Sequence, residues 1–361
     1  PALTLSQRAA LRLKLFLEEE QIIRNPDEQI PAWRTIISFP DIYAEGERER
    51  LTAGHYIHEQ GRVCNISSDW EGVIREGLLA RRERATEDMR TTIDAVIAYA
   101  DRYEIEGLSH AIRYGATSYL TALQMMRILH FALWASNTYH NTVGRFDQYM
   151  YPYFKADMDA HKLDDAQALA LTEEFFLSFN RDNDLYTGMQ QGDNGQSMML
   201  GGCTRDGANA VNELTYICLK ASLNNRRIDP KINLRVDKNT PIELYDLGTQ
   251  LTKQGLGFPQ YANDDVVIPA LVSMGYALED ARNYTVAACW EFIIPGEGMD
   301  IPNIGAVSHA KVVRDVLLAK LNECETFDAL LEQVRLEEIA EADRQEPMYR
   351  NLWLEPAPYQ S

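Results

Sequence analysis

A cysteine followed two positions later by a glutamate, Cys289-Trp290-Glu291, is the sharpest chemical signal in the sequence. It closes a β-prone run, Thr285-Val286-Ala287-Ala288, and leads into Phe292-Ile293-Ile294-Pro295-Gly296. In parallel α/β architectures, sites assemble at the carboxyl ends of strands, which is where this cysteine falls. If the segment is extended, two-residue alternation turns Cys289 and Glu291 to one side, toward one ligand. A sulfur centre that removes a hydrogen atom, beside a carboxylate that takes or supplies a proton, could then break an unactivated bond. The same residues also read as a small buried thiol behind an apolar strand and an ordinary loop carboxylate.

The elements that must carry this pair change character along the chain. The first 190 or so residues predict helices: Met89, Ile93, Val96, Ile97 and Ala100 recur at helical spacing with charges between them. The stretch from Ser118 to Trp134 is apolar nearly all round, as expected for a helix enclosed by others. After Gln196, short apolar runs alternate with helical stretches: SMMLGG, VNELTYICLKASL, KINLRV, IELYDLGTQLTKQ, GFPQY, TVAAC. That β-α-β-α order favours parallel strands wrapped by helices, with a closed barrel preferred over an open sheet. The tail returns to helix, with Val313, Val316, Leu317 and Leu321 on one face and a second helix starting near Thr326. No repeat or low-complexity linker interrupts the chain, so one continuous fold is expected.

Composition excludes several classes. A formal charge of −19 over 361 residues argues against a phosphate-backbone partner, which calls for a concentrated basic surface. Five cysteines, Cys64, Cys203, Cys218, Cys289 and Cys324, lack CxxC spacing and suit reduced thiols in a cytoplasmic setting better than disulfides or a metal site. No apolar run reaches the roughly 20 residues needed to cross a bilayer, and the first residues lack a signal-peptide pattern. Gly201-Gly202 has neither the Lys-Ser/Thr of a P-loop nor the spacing of a dinucleotide fingerprint.

Cys289-Trp290-Glu291 resembles the Cys-x-Glu loop of glycyl radical enzymes, in the branch of dehydratases, decarboxylases and C–N or C–S lyases related to pyruvate formate-lyase. Gly144-Arg145-Phe146-Asp147-Gln148-Tyr149-Met150-Tyr151-Pro152 is similar to the family's GRxDQYxYP segment. Leu200-Gly201-Gly202, Asp206-Gly207 and Asn212-Glu213-Leu214 resemble its IGG…DG…NEL stretch. Phe258-Pro259 through Asn263-Asp264 resembles its PxxxNDE approach, and Glu279-Asp280-Ala281-Arg282-Asn283-Tyr284 its EDARDY lead into the cysteine loop. Pro295-Gly296 and Ala310-Lys311-Val312 follow at family spacing, so the resemblance runs from about residue 35 to 335.

The resemblance implies an α/β fold: a ten-stranded β/α barrel inside a helical shell, its first half-barrel in this chain. Residues 1–195 would be mainly shell, 196–292 the half-barrel ending in the cysteine loop, and 293–361 the helical start of the second half. It further implies Cys289 as the thiyl and Glu291 as general base or acid, with Asn303 and His140 as substrate contacts. Asn303 stands where diol dehydratases of this family place an aspartate. His55, His58, Cys64 and Arg235 are lesser candidates, and Arg145 with Asp147 a buried pair or hydrogen-bonded group. No cofactor is expected to bind this chain directly. The family's glycine radical is installed by a radical S-adenosylmethionine activase, yet no RVxGY-like glycine motif occurs here; Gly275-Tyr276 precedes the cysteine.

A complementary chain carrying the second half-barrel and that glycine is therefore expected, besides the activating enzyme, a small-molecule substrate and a homo-oligomer of the completed unit. Neither nucleic acid nor membrane is expected as a partner. Ala288, where pyruvate-type acyltransferases have a second cysteine, favours a dehydratase or decarboxylase type of lyase. Two alternatives stand beside this reading: a cysteine amide hydrolase with Glu291 as base, and a non-catalytic subunit or remnant of a radical enzyme.

Overall fold

The computed structural model describes residues 3–53, 67–136, 142–181, 195–287, 291–296 and 307–350. The chain divides into two compact units, one of residues 1–42, 64–301 and 357–361, the other of 43–63 and 302–356. Helices dominate. The amino-terminal ones are α1 (Leu5–Glu19), α2 (Glu47–Ala53), α3 (Trp70–Arg84), α4 (Glu87–Asp101), α5 (Leu108–Tyr114), α6 (Tyr119–Ala135), α7 (Phe146–Tyr149), α8 (Tyr151–Asp159) and α9 (Asp165–Ser178). Strands and helices then alternate: β1 (Ser197–Gly201), α10 (Glu213–Asn225), β2 (Lys231–Val236), α11 (Ile242–Thr252), β3 (Gln260–Asn263), α12 (Asp264–Ser273), α13 (Leu278–Arg282), β4 (Thr285–Ala287) and β5 (Glu291–Ile293). The described residues end in α14 (His309–Lys320) and α15 (Phe327–Tyr349). This is the mixed α/β composition the alternating pattern predicts.

Local chemistry fixes the helix starts. Ser118, Asp164 and Asn212 each accept from the third backbone N–H of the helix they begin, and Thr121, Gln167 and Thr215 return a bond to the cap backbone. Such reciprocal caps satisfy amides the helix cannot. The all-round apolar character of α6 matches its setting, since almost every side chain from Tyr119 to Ala135 is buried.

β1, β2 and β3 form a parallel sheet in that order, with Met199 beside Asn233 and Gly201 beside Arg235, and Arg235 in turn beside Ala262. Parallel strands joined by helices must be covered on both faces, and every residue of β1 and β2 is buried. Alternation separates the faces. Met198, Leu200, Ile232, Leu234 and Val236 join the large core contributed by α6, α9, α10 and α11. Met199 and Ala262 face the opposite way, into a smaller core with Leu271, Ala281, Tyr284, Val286 and Ile294. The sheet thus stands between a helical layer and the segment running from α12 to β5.

β4 and β5 pair antiparallel, with Thr285 opposite Ile293 and Ala287 opposite Glu291. The chain therefore reverses between Ala287 and Glu291. Residues 288–290, on which the placing of Cys289 and Glu291 on one side depends, lie outside the described residues.

In the second unit, α14 and α15 pack together, begun by Ser308 and Thr326 caps, and His309 Nδ1 meets Glu338 Oε1 at 2.7 Å. Among the described residues, no helix is long and apolar enough to cross a membrane.

Candidate active site

The hairpin β4–β5 is the element that carries the predicted chemistry, and Glu291 begins its second strand, half-buried. Cys289, His140 and Asn303 lie outside the described residues, as do His55, His58 and Cys64. The described residues flanking these positions converge. Ser67 forms a parallel bridge with Thr142, and the Gly296 N–H donates to the Ser67 carbonyl at 3.1 Å. Thr142 Oγ1 and the Val143 N–H both donate to the Ser197 carbonyl at the start of β1, at 2.8 and 2.7 Å. Trp70 Nε1 closes the group on the Thr142 carbonyl at 2.9 Å. Ser67, Thr142 and Gly296 are thereby joined to the start of β1.

At the other end of the sheet, a buried polar network grips the residues that enter β4. Arg235 is fully buried at the end of β2 and donates from Nε and Nη2 to the two oxygens of Asp264, both at 2.8 Å. Its Nη1 donates to the carbonyls of Arg282 and Tyr284 at 2.8 and 3.3 Å. Tyr284 completes the ring of contacts: its hydroxyl donates to Asp264 Oδ1 at 2.7 Å, and its ring lies 4.0 Å from the Arg235 guanidinium carbon. Two-point recognition of a carboxylate with a stacked aromatic is what a guanidinium does best. Burial disfavours the Arg235 cation, but the hydrogen bonds to Asp264 hold its pKa above the ordinary arginine value. Arg235, a lesser site candidate by sequence, is enclosed and pairs with the chain's own Asp264 carboxylate.

Arg145 and Asp147 are buried as expected, and they divide one residue between them. Arg145 Nη2 donates to the carbonyls of Gly201 and Cys203 at 3.0 and 2.8 Å, while Asp147 Oδ2 accepts the Gly201 N–H at 2.8 Å. Thr215 Oγ1 also donates to Asp147 at 2.5 Å. Burial and the like charge of Arg235 lower the Arg145 pKa to about 9. Burial raises that of Asp147 against its hydrogen-bond donors. A charged group in such surroundings persists only with partners in place.

Two of the three described thiols, Cys203 and Cys218, are packing groups, and Cys324 is half-buried. Cys218 is fully buried in the helical core and Cys203 accepts from Arg235 Nη2 at 3.4 Å; burial pushes both thiols up, away from the reactive thiolate. Among the described residues, no group of three or more His, Cys, Asp or Glu could hold a metal ion. The sequence reading passed over Asp264 and Tyr284 as network members, although both lie inside quoted motifs. An acidic residue at a helix start and a tyrosine at a strand entrance are common enough alone; the pairing of β2 with β3 brings Asp264 to Arg235, and the segment entering β4 brings Tyr284.

Comparison with known proteins agrees with this architecture. A family model described as pyruvate formate lyase-like matches residues 105–325, more than half of the chain. The chain is 33% identical over 168 residues to the (2S)-3-sulfopropanediol dehydratase of Klebsiella oxytoca, covering 45% of this chain and 20% of that protein. It is 32% identical over 181 residues to the isethionate sulfite-lyase of Desulfovibrio desulfuricans, covering 48% and 22% respectively. A solved structure concerned with 1,2-propanediol dehydration in Roseburia inulinivorans superposes with a TM-score of 0.79 at 21% identity, covering all of this chain and 61% of the other. The chain thus spans about a fifth of the two curated relatives and 61% of the solved structure. Within that span, the ordered motifs, the parallel β/α run and the hairpin around the cysteine agree with the family match, and the chain belongs to the pyruvate formate lyase-like family of glycyl radical enzymes.

Proposed function

We propose that this chain is the cysteine-bearing part of a glycyl radical lyase that breaks a C–O, C–N, C–S or C–C bond in a small polar molecule. The observation that carries the reading is the placing of the β4–β5 hairpin on the sheet face opposite the large helical core, with Ala287 and Glu291 paired on either side of residues 288–290. Relatives named as a dehydratase and a sulfite-lyase support the reaction class.

In this reading the unpaired electron is supplied by a glycine radical outside these 361 residues, which contain no RVxGY-like motif, and which a radical S-adenosylmethionine activase installs. That glycine radical takes the Cys289 thiol hydrogen, and the sulfur radical so formed takes one hydrogen atom from a substrate carbon, re-forming S–H. Glu291 accepts a neighbouring hydroxyl or carboxyl proton; hydroxide, amine or sulfite departs with the bonding pair, whereas carbon dioxide departs without it. Cys289 then returns its hydrogen atom to the product. His140 and Asn303 contact the substrate, and an amide at 303 can both donate to and accept from it.

On the same reading, residues 1–195 contribute the shell, 196–292 the first half of a ten-stranded barrel ending in the cysteine loop, and 293–361 the start of the second half. The rest of the barrel and the glycine belong to residues beyond this sequence, in the same or a complementary chain, and the completed unit forms a homo-oligomer in the cytoplasm.

The test is anaerobic activation of the complete protein with its activase, followed by electron paramagnetic resonance and turnover of (2S)-3-sulfopropanediol, isethionate and 1,2-propanediol. A glycine-centred doublet with turnover of one of these, and turnover lost in Cys289→Ser while the doublet persists, is expected. Amide hydrolysis without activation would establish the two-electron alternative instead, and unchanged function in Cys289→Ser the non-catalytic one.

A further inference from the structure

Residues 282–284 are the last before β4, and buried polar groups hold them. Arg235 Nη1 takes the carbonyls of Arg282 and Tyr284. Arg145 Nη1 reaches the Arg282 carbonyl at 3.4 Å and Asn283 Oδ1 at 3.5 Å. Asp264 takes the Tyr284 hydroxyl and neutralises Arg235. These groups come from three separate elements, the start of α7, the end of β2 and the start of α12, and all meet on the hairpin side of the sheet.

The alternative economy would be an apolar strand entrance packed on Met199 and Ala262, which a sheet of this kind supports without charge. A buried arginine with several fixed acceptors instead sets direction, because each bond has a narrow geometry that an apolar contact lacks. β4 and β5 have only three residues each, so their own ladder gives little rigidity.

We propose that Arg235, Asp264 and Tyr284 are positioning residues: they aim the β4–β5 hairpin, and through it the Cys289-Glu291 pair, toward the interior of the site. Tyr284 lies five positions before Cys289 in the sequence. The clamp's catalytic consequence rests on the lyase reading above; its structural consequence does not.

Tyr284→Phe is the cleanest probe, since it removes one hydroxyl and keeps the ring over Arg235. Arg235→Lys is the second, because an ammonium cannot hold two carboxylate oxygens and two carbonyls together. Hydrogen exchange in the intact protein, read by mass spectrometry, is expected to quicken about tenfold across residues 285–287 and 291–293, with β1 and α6 unchanged. In the activated enzyme, kcat should fall with KM nearly unmoved, as for a misaligned group rather than a lost substrate contact.

Unchanged exchange in the hairpin, or exchange raised equally in β1 and α6, overturns the positioning role and leaves the clamp a general stabiliser. Exchange needs no substrate, so it decides the proposal even where Cys289→Ser leaves turnover intact and the lyase reading fails. Conversely, loss of turnover in Cys289→Ser with full hairpin protection and full kcat in Tyr284→Phe rejects the clamp alone.

Discussion

At the scale of single residues, the proposed lyase chemistry gives two groups within three positions of sequence different work: Cys289 would exchange a hydrogen atom and Glu291 a proton. A positioned acid or base contributes about 10²- to 10⁴-fold, so Glu291→Gln should lower kcat by that amount while leaving the glycine-centred doublet intact. A loss of the doublet in steady-state kinetics and spectroscopy would assign Glu291 to radical transfer instead. Another residue, invisible to motif reading, is set by burial. His130 lies in the middle of α6 with Nε2 hydrogen-bonded to Gln196 and 3.1 Å from Trp134 Nε1, and burial lowers its pKa from 6.5 to about 3. Between those values the unfolded chain binds a proton that the folded chain refuses. Its contribution is therefore complete above pH 6.5 and drains away as pH falls toward 3, at up to about 1.4 kcal/mol per pH unit. Thermal melts at pH 4.5 to 7 should show a shallower fall for His130→Gln than for the native protein; equal slopes would contradict the assignment.

At the scale of elements, much of the site's frame is legible in the sequence. Ser118, Asp164 and Asn212 announce helix starts by residue type, and the runs SMMLGG, KINLRV and TVAAC each contain a strand where the pattern predicts one. What the pattern does not carry is long-range. That TVAACWEFI folds back on itself depends on three-residue strands pairing, and that Arg235 finds Asp264 depends on the register of β2 against β3. Periodicity reports which way a side chain faces, not which charge it meets. Gly202 shows the same limit: its φ of +77° suits glycine, but the stronger constraint is that a Cβ there would lie 2.5 Å from Arg235 Nε. Gly202→Ala should cost on the order of 2 kcal/mol through backbone strain and displacement of the clamp. Denaturant melts check this, and a midpoint unchanged from the native protein would mean the clamp has room that the close approach denies.

At the scale of the whole molecule, the sheet divides two functions. One face is committed to a dense helical core of Phe146, Phe175, Leu214 and Leu234, which supplies stability; the other receives the hairpin and the buried charges, which cost stability but fix direction. A radical enzyme has reason to separate them, since a reactive sulfur is useful only if it reaches substrate and nothing else. The most direct measurement is the turnover rate of 1,2-propanediol, isethionate or sulfopropanediol, whichever the activated protein accepts, with deuterium in place of the carbon-bound hydrogens. Slower turnover of the deuterated molecule is expected under the proposed lyase reading, in which Cys289 breaks a carbon–hydrogen bond before any group leaves. Equal rates for the two, with the bond-breaking step shown to limit turnover, would contradict it and return Cys289 to two-electron chemistry.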